Sequence, residues 1–273
     1  MTARSFAATS VIGVLIVAAV FLLCVMVGPD PLSPGHAAFA WPSPAVASFR
    51  FTRVISAAVV GAALAGAGVI FQALLKNPLA DPYVLGISSG SSMTTLLWAI
   101  LAAPILNSAA ARQSPELFRM LIEGGEVVPA IIGATVTCVI VFWVAFIVSG
   151  RTLEPLTLLL VGVIISSFNG ALILLLNSLA PQGIRADIYT YLIGHISDGV
   201  SRATLAVAAV VFGLSWLAAI SMAGAMNLAT LSDAEALSLG IRVRRLRVVS
   251  FVVASVMTAA AIALARSIAF VGL

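Results

Sequence analysis

An all-α, polytopic transmembrane helical bundle is the fold this sequence predicts, on three observations. Hydrophobic residues make up 62% of the 273-residue chain and charged residues 9%, with a mean hydropathy of +1.17. Too little polar side chain remains to clothe a water-facing surface. The apolar residues gather in runs of about 20, the length that crosses a bilayer as helix. Between the runs stand proline, glycine and charge, which end helices and face water. The net charge of +4 lies in loops, not on a basic face interleaved with aromatics, which argues against nucleic acid as a partner. Cys24 and Cys138 sit inside apolar runs and read as small packing residues rather than a disulfide or metal pair.

Seven spans are expected. Val11 to Val27 is the first, a retained helix and not a signal peptide, because it is long and no small-residue cleavage site follows. Gly28 to Ser48 holds Pro29, Pro31, Pro34, Pro42 and Pro44 and reads as a loop. The second and third spans are Val54 to Leu75 and Ile87 to Pro104. Ile105 to Glu126 carries Arg112, Glu116, Arg119 and Glu123 and reads as a loop with a short surface helix. Val127 to Val148, Pro155 to Leu179, Ala203 to Met222 and Val248 to Ala265 complete the set. The intervening Ala180 to Arg202 and Ala223 to Arg247 read as polar loops.

The most informative stretch runs from Arg50 to Gly90. Arg50 and Arg53 precede the second span, Lys76 ends it, and Asn77-Pro78-Leu79-Ala80-Asp81-Pro82 follows. Proline lacks an amide hydrogen and disfavours helix in the residue before it, so this link must turn between two spans.

With the N-terminus in the cytoplasm, Arg4, Lys76, Arg151, Arg242, Arg244, Arg245 and Arg247 fall inside, and Arg50, Arg53, Arg112, Arg119, Arg185, Arg202 and Arg266 outside. The count is balanced, so the orientation rests on the clustering of four arginines just before the last span. The seven spans contain no Asp, Glu, Lys, Arg or His. Proton-coupled transport and intramembrane catalysis need such groups, so the energy for any transport should enter from outside the membrane. Sodium held by carbonyls and hydroxyls stays open as an alternative, in an ion-coupled secondary transporter.

Small residues recur at helical spacing: Ala57, Gly61 and Ala65, then Gly86 and Gly90 among Ser88, Ser89, Ser91 and Ser92, then Gly162, Ser166, Asn169 and Gly170. Two readings stand side by side. One is close helix packing with hydroxyl back-bonding; the other is a weakly polar wall along which a bulky solute passes. In the wall reading, Gly86, Ser88, Gly90, Gly162, Ser166, Asn169 and Gly170 line the translocation pathway.

Before the last span, Met226 to Gly240 suggests a short capped helix. Ser232 with Glu235 forms a capping box, and Gly240 after Leu239 is a C-cap. Leu228, Leu231, Ala234 and Leu239 give it an apolar side on which a cytoplasmic partner could press.

Three stretches carry a resemblance: Arg50-x-x-Arg53 with Gly61-Ala-x-Leu-Ala-x-x-Gly68, Gln72, Asn77-Pro-Leu-Ala-x-Pro82, Leu85-Gly86 and Gly90; Met226-Asn-Leu to Leu239-Gly240; and Ile268-x-Phe-Val-Gly-Leu273. Together they resemble the permease subunits of type II ABC importers for iron–siderophores, haem and vitamin B12. Thr52 stands where that family usually has proline, Tyr191 where it commonly has tryptophan, and Arg266 is unusual before the third stretch. The resemblance implies ten helices per full-length subunit against seven here, hence a chain truncated at its C-terminus and otherwise a single permease domain over residues 1–273. It implies a homodimer, two cytoplasmic ATP-binding subunits that carry the enzymatic activity, an external solute-binding protein, and no cofactor. Arg50 and Arg53 would dock the binding protein, with lipid-headgroup anchoring as the plainer role. Leu228, Leu231, Ser232, Glu235, Leu239 and Gly240, within a coupling loop over residues 223–247, would meet the ATPase. The implied location is the bacterial inner membrane. Between siderophore, haem and cobalamin the sequence leans only towards an iron chelate. His36, His195, Tyr191 and Met120 are the side chains able to touch a haem iron, although loop histidines are more often plain polar surface.

Overall fold

The computed structural model describes residues 3–29, 37–106, 127–149, 154–180, 196, 202–230 and 233–265. Eight helices and one small hairpin appear there. In chain order they are α1 (Ala3–Met26), β1 (Val27–Pro29), β2 (Ala37–Phe39), α2 (Pro44–Leu75), α3 (Ile87–Leu106), α4 (Val127–Val148), α5 (Pro155–Leu179), α6 (Arg202–Ala229), α7 (Asp233–Ser238) and α8 (Val243–Ala265). Six helices are long and apolar enough to cross a membrane, and Ile87–Ala102 of α3 is a shorter apolar helix. The chain is thus a multi-pass membrane protein, with a helix at each of the seven expected spans.

The helix ends depart from expectation. Gly28 to Ser48 is not simply loop: β1 and β2 pair antiparallel, Val27 opposite Phe39, and α2 already starts at Pro44. Proline is well placed in a first helical turn, where its missing N–H would have no partner anyway. Helix α6 continues to Ala229 and α8 begins at Val243, so much of the expected polar loop 223–247 is helical. Hydropathy reports the width of the bilayer; alanine, methionine and arginine are good helix formers on either side of that boundary.

The residues group into two compact units, Met1–Ala57 and Ala58–Leu273. In the first, α1 presents exposed apolar side chains such as Val14 and Leu15. Its last carbonyls are met by Arg50, whose guanidinium donates to Val25 O at 3.0 Å and Met26 O at 3.5 Å. A cation there also suits the negative end of the helix dipole. Phe51 packs between Phe21 and Trp41, each ring centre 6.3 Å away.

In the second unit α8 is the most enclosed helix, with Phe251, Ala254, Met257 and Ala260 buried. Its small residues let neighbours approach, which is how helices associate where lipid removes the hydrophobic drive. Phe251 meets Phe71 of α2 edge-on at 5.5 Å and Phe142 of α4 at 6.3 Å, so three helices converge on one ring. Helices α3 and α4 cross where Gly90 faces Gly133: a Cβ on Gly133 would run into the Gly90 carbonyl. Two hydroxyls stitch the same crossing, Ser91 to Ala130 O at 2.8 Å and Thr94 to Pro129 O at 2.7 Å.

Gly133→Ala should therefore cost about 1–3 kcal/mol by overpacking. Gly61→Ala, with open space around its would-be Cβ, should be neutral or slightly stabilising. Unfolding of both variants by denaturing detergent, compared with the parent, checks the pair.

Candidate functional site

The link between α2 and α3 is the first element to place. Helix α2 stops because Lys76 takes a left-handed φ of 49° and the Asn77 amide donates back to Gln72 O at 3.2 Å, closing a Schellman turn. Two side-chain turns follow. Asn77 Oδ1 accepts from the Leu79 amide at 2.9 Å, and Asp81 Oδ1 from the Tyr83 amide at 2.7 Å. They supply the bonds that Pro78 and Pro82 cannot. Gly86, at φ 81°, then redirects the chain into α3, a conformation that costs glycine nothing.

This link lies against α5. Gly162 is buried with Leu85 so near that a Cβ would stand 2.8 Å from the Leu85 Cα. A Cβ on Gly86 would likewise stand 3.3 Å from Gly162 O. Ser166 donates to Tyr83 O at 3.0 Å, and Asn169 Nδ2 to Ser89 Oγ at 3.2 Å; the Ser89 hydroxyl in turn donates to Gly86 O at 3.0 Å. Gly86, Ser88, Gly90, Gly162 and Asn169 are all buried. At Gly86, Gly90, Gly162 and Asn169 the small-residue pattern thus packs within the chain, whereas Gly61 has open space beside it. Ser166 is tied to the link, and Gly170 has open space beside it. Sequence reasoning passed over Gly133 and Thr137 of α4, which face Gly90; their own four-residue spacing was the signal that would have found them.

The ends of several helices meet at one polar face. Lys76, Met226, Val243, Arg247 and Ser250 line one recess, while Lys76, Asn77, Glu154 and Pro155 line its neighbour. The C-terminal end of α2, the N-terminal end of α5, the C-terminal end of α6 and the N-terminal end of α8 therefore share a side. Arg244 stacks over Phe146 of α4, 5.1 Å from the ring centre, and fixes α8 at this face.

Helix α7 touches α6 and α8 at the same face. It ends in a complete Schellman motif: the Gly240 amide donates to Leu237 O at 2.9 Å and the Ile241 amide to Ala236 O at 3.1 Å, with Gly240 at φ 79°. The expected Gly240 cap has that geometry. Leu231 and Ser232, with the capping box they imply, lie outside the described residues, as do His36, His195, Tyr191, Met120 and Arg266. Ala236 is the residue α7 buries, whereas Leu237 and Leu239 stand 60% and 58% exposed and Leu228 40%. Glu235 is exposed as well. Leu237 was not among the expected contact residues; in a helix of six residues, periodicity cannot tell which leucine turns outward. Arg53 is exposed on α2, while Arg50 is half-buried against α1. Among the described residues no group of three or more His, Cys, Asp or Glu side chains could hold a metal ion, and both cysteines are free.

Residues 14–273 match the FecCD transport family. An uncharacterized ABC transporter permease protein of Bacillus subtilis is 33% identical over 229 residues, 83% of this chain and 60% of that protein. The achromobactin transport system permease protein of Dickeya dadantii is 30% identical over 272 residues, 96% of this chain and 72% of that protein. The chain thus spans from three-fifths to under three-quarters of the length of these relatives. A solved metal-chelate type ABC transporter chain, in an inward-facing conformation, superposes with a TM-score of 0.73 at 24% identity, over 95% of this chain and 75% of that one.

Gly240→Ala should weaken the end of α7 by about 1 kcal/mol, since a Cβ is strained at positive φ, and Gly240→Asn should cost less. Faster hydrogen exchange at the Ile241 amide in the alanine variant measures it.

Proposed function

The chain belongs to the FecCD transport family, and from that membership we propose that it is the membrane-spanning permease subunit of a binding-protein-dependent ABC importer. In this reading it passes an iron chelate inward across a bacterial inner membrane, and ATP is hydrolysed by a separate subunit. The observation that carries the proposal is α7: a capped six-residue helix on a basic face, holding Leu237 and Leu239 in the open. Two exposed leucines beside Arg242, Arg244 and Arg245 are costly on a loop with no partner. They suit a cytoplasmic protein that presses there and couples its motion to the spans, with Leu228, Glu235 and Gly240 framing the contact. Leu231 and Ser232 are proposed to extend that contact. The absence of ionisable residues from the middle of every span supports energy entering from such a partner rather than from a proton gradient.

Docking of a solute-binding protein is proposed to rest on Arg50 and Arg53. Arg53 is exposed and Arg50 half-buried, with its guanidinium on the end of α1. The pathway is proposed to lie between two copies of the chain, along the face of α5 that carries Gly170 and borders Ser166. Gly86, Ser88, Gly90, Gly162 and Asn169 support that face from behind. An iron chelate is proposed as the solute; relatives named for achromobactin, for hemin and for vitamin B12 transport stand at similar identity.

Four experiments test the reading. In proteoliposomes holding the complete transporter, uptake of a labelled ferric siderophore should require both ATP and the external binding protein; uptake driven by an ion gradient alone would move the function to secondary transport. Leu237→Asp with Leu239→Asp should release the ATPase subunit on co-purification while the permease stays folded, and an undiminished complex would sink the coupling role. Arg53→Glu should abolish stimulation by the binding protein without loss of assembly, and unchanged stimulation would leave Arg53 as a headgroup anchor. Gly170→Trp is the clean pathway probe, because Gly162→Trp would instead break the contact with Leu85.

A further inference from the structure

Arg50 is held in a way that Arg53 is not. Its Nη1 donates to Val25 O at 3.0 Å and, less closely, to Met26 O at 3.5 Å. Met26 O already accepts from the Ala40 amide at 3.2 Å, so Arg50 rests on α1 by one good hydrogen bond and one marginal bond. Arg53, three residues further along the same helix and so on the same side of it, is exposed. The rest of this unit is fastened without the Arg50 guanidinium: β1 pairs with β2, and Phe51 packs between Phe21 and Trp41.

Gly28 of β1 makes the position of Arg50 possible. A Cβ on Gly28 would fall on Cζ and Nη2 of Arg50 and stand 2.6 Å from Nη1. Gly86 and Gly240 have a positive φ and Gly28 does not, so glycine supplies space here rather than conformational freedom. The atoms in the way are the far end of a long, flexible side chain. A methyl group at residue 28 would therefore push the guanidinium off α1 and leave the backbone in place.

We propose that this contact is a latch, an inference that rests on the docking role given above. In the undocked chain Arg50 lies on the end of α1; an acidic side chain of the solute-binding protein takes it from there and pairs with it beside Arg53. With Nη1 on α1 and Nη2 over Gly28, the edge that joins the two nitrogens faces inward and has to leave before it can meet a carboxylate. The exchange is favourable because a carboxylate brings a net negative charge and two oxygens matched to the guanidinium fork, whereas α1 offers neutral carbonyls to one nitrogen. Little is lost in return. Met26 O keeps the Ala40 amide, and Val25 O, at a helix end, takes water in place of the guanidinium. Docking thereby unfastens α1 from the start of α2.

The test uses the complete transporter in lipid nanodiscs and measures the Kd of its own solute-binding protein. Gly28→Ala should bind about fivefold more tightly than the parent, because docking no longer has to break a hydrogen bond first. Arg50→Gln should bind more weakly. Gly28→Ala combined with Arg50→Gln should bind no more tightly than Arg50→Gln alone, which would show that the gain passes through Arg50. A second readout does without any change at residue 28. The Ala40 amide shares Met26 O with Arg50, so its hydrogen exchange in undocked Arg50→Gln gives the unlatched rate. Adding the binding protein to the parent should raise exchange at Ala40 towards that rate. If Gly28→Ala binds no more tightly while Arg50→Gln still weakens docking, or if Ala40 stays slow in the docked parent, Arg50 docks without leaving α1 and the latch is overturned while docking stands. Full affinity in Arg50→Gln would remove Arg50 from docking and overturn both.

Discussion

A bilayer offers no water to a stray polar group, and that constraint organises the interior of this protein. Most buried hydroxyls return their proton to the turn beneath, but a few cross to a neighbour, and those few decide which helices are held together. Ser91 and Thr94 reach α4. Ser166 reaches the link after α2, and Asn169 reaches Ser89. Each bond is weak by the standards of water-excluded chemistry, on the order of 1 kcal/mol. Each is possible only because glycine at positions 86, 90, 133 and 162 lets one backbone lie against another. Close approach and hydrogen bonding are one device here: neither geometry survives without the other.

The consequence for function is a division of labour along the spans. The middle of the second unit is a tight seam of α3, α4, α5 and α8, poorly suited to yield space to a solute. Exposed chemistry is displaced to the helix ends and to the outer faces of α5 and α6. At the polar face Lys76, Glu154 and Arg247 line two recesses, and α7, packed on α6 and α8, leaves Leu237 exposed, as is Leu239 just after it. Helix α7 touches both α6 and α8, and only residues 239–242 stand between it and α8. A rigid seam carrying a short lever suits a subunit driven from outside the membrane.

Much of this was legible in the residues. Uninterrupted apolar runs mark the spans, and Pro78 and Pro82 mark the turn between α2 and α3, because a missing amide hydrogen acts locally whatever surrounds it. Gly240 was recognisable as a cap for the same reason: positive φ is a property of one residue. Less was legible where neighbours compete. Helix α2 begins at Pro44, ten residues before its apolar run, since helix formation does not stop where the bilayer does. The polar loop before α8 shrank in the same way. Arg50 and Arg53 look equivalent in the sequence, yet one caps α1 and the other is exposed; only the position of a helix end 24 residues earlier separates them.

The sequence by itself determined the class of protein, the number of apolar helices and the places where the chain must turn, because these follow from transfer free energies and backbone sterics that each residue carries with it. Tertiary structure alone decided which of the small residues lie against a neighbouring backbone. A four-residue spacing of Gly, Ser and Asn describes a smooth helix face, and a smooth face serves a passing solute or a neighbouring backbone equally well. Leu85 lying against Gly162 and the Tyr83 carbonyl on Ser166 put neighbouring backbone at those two positions, while Gly170 keeps open space beside it. They join residues some 80 positions apart, a distance over which no local pattern in the sequence can act.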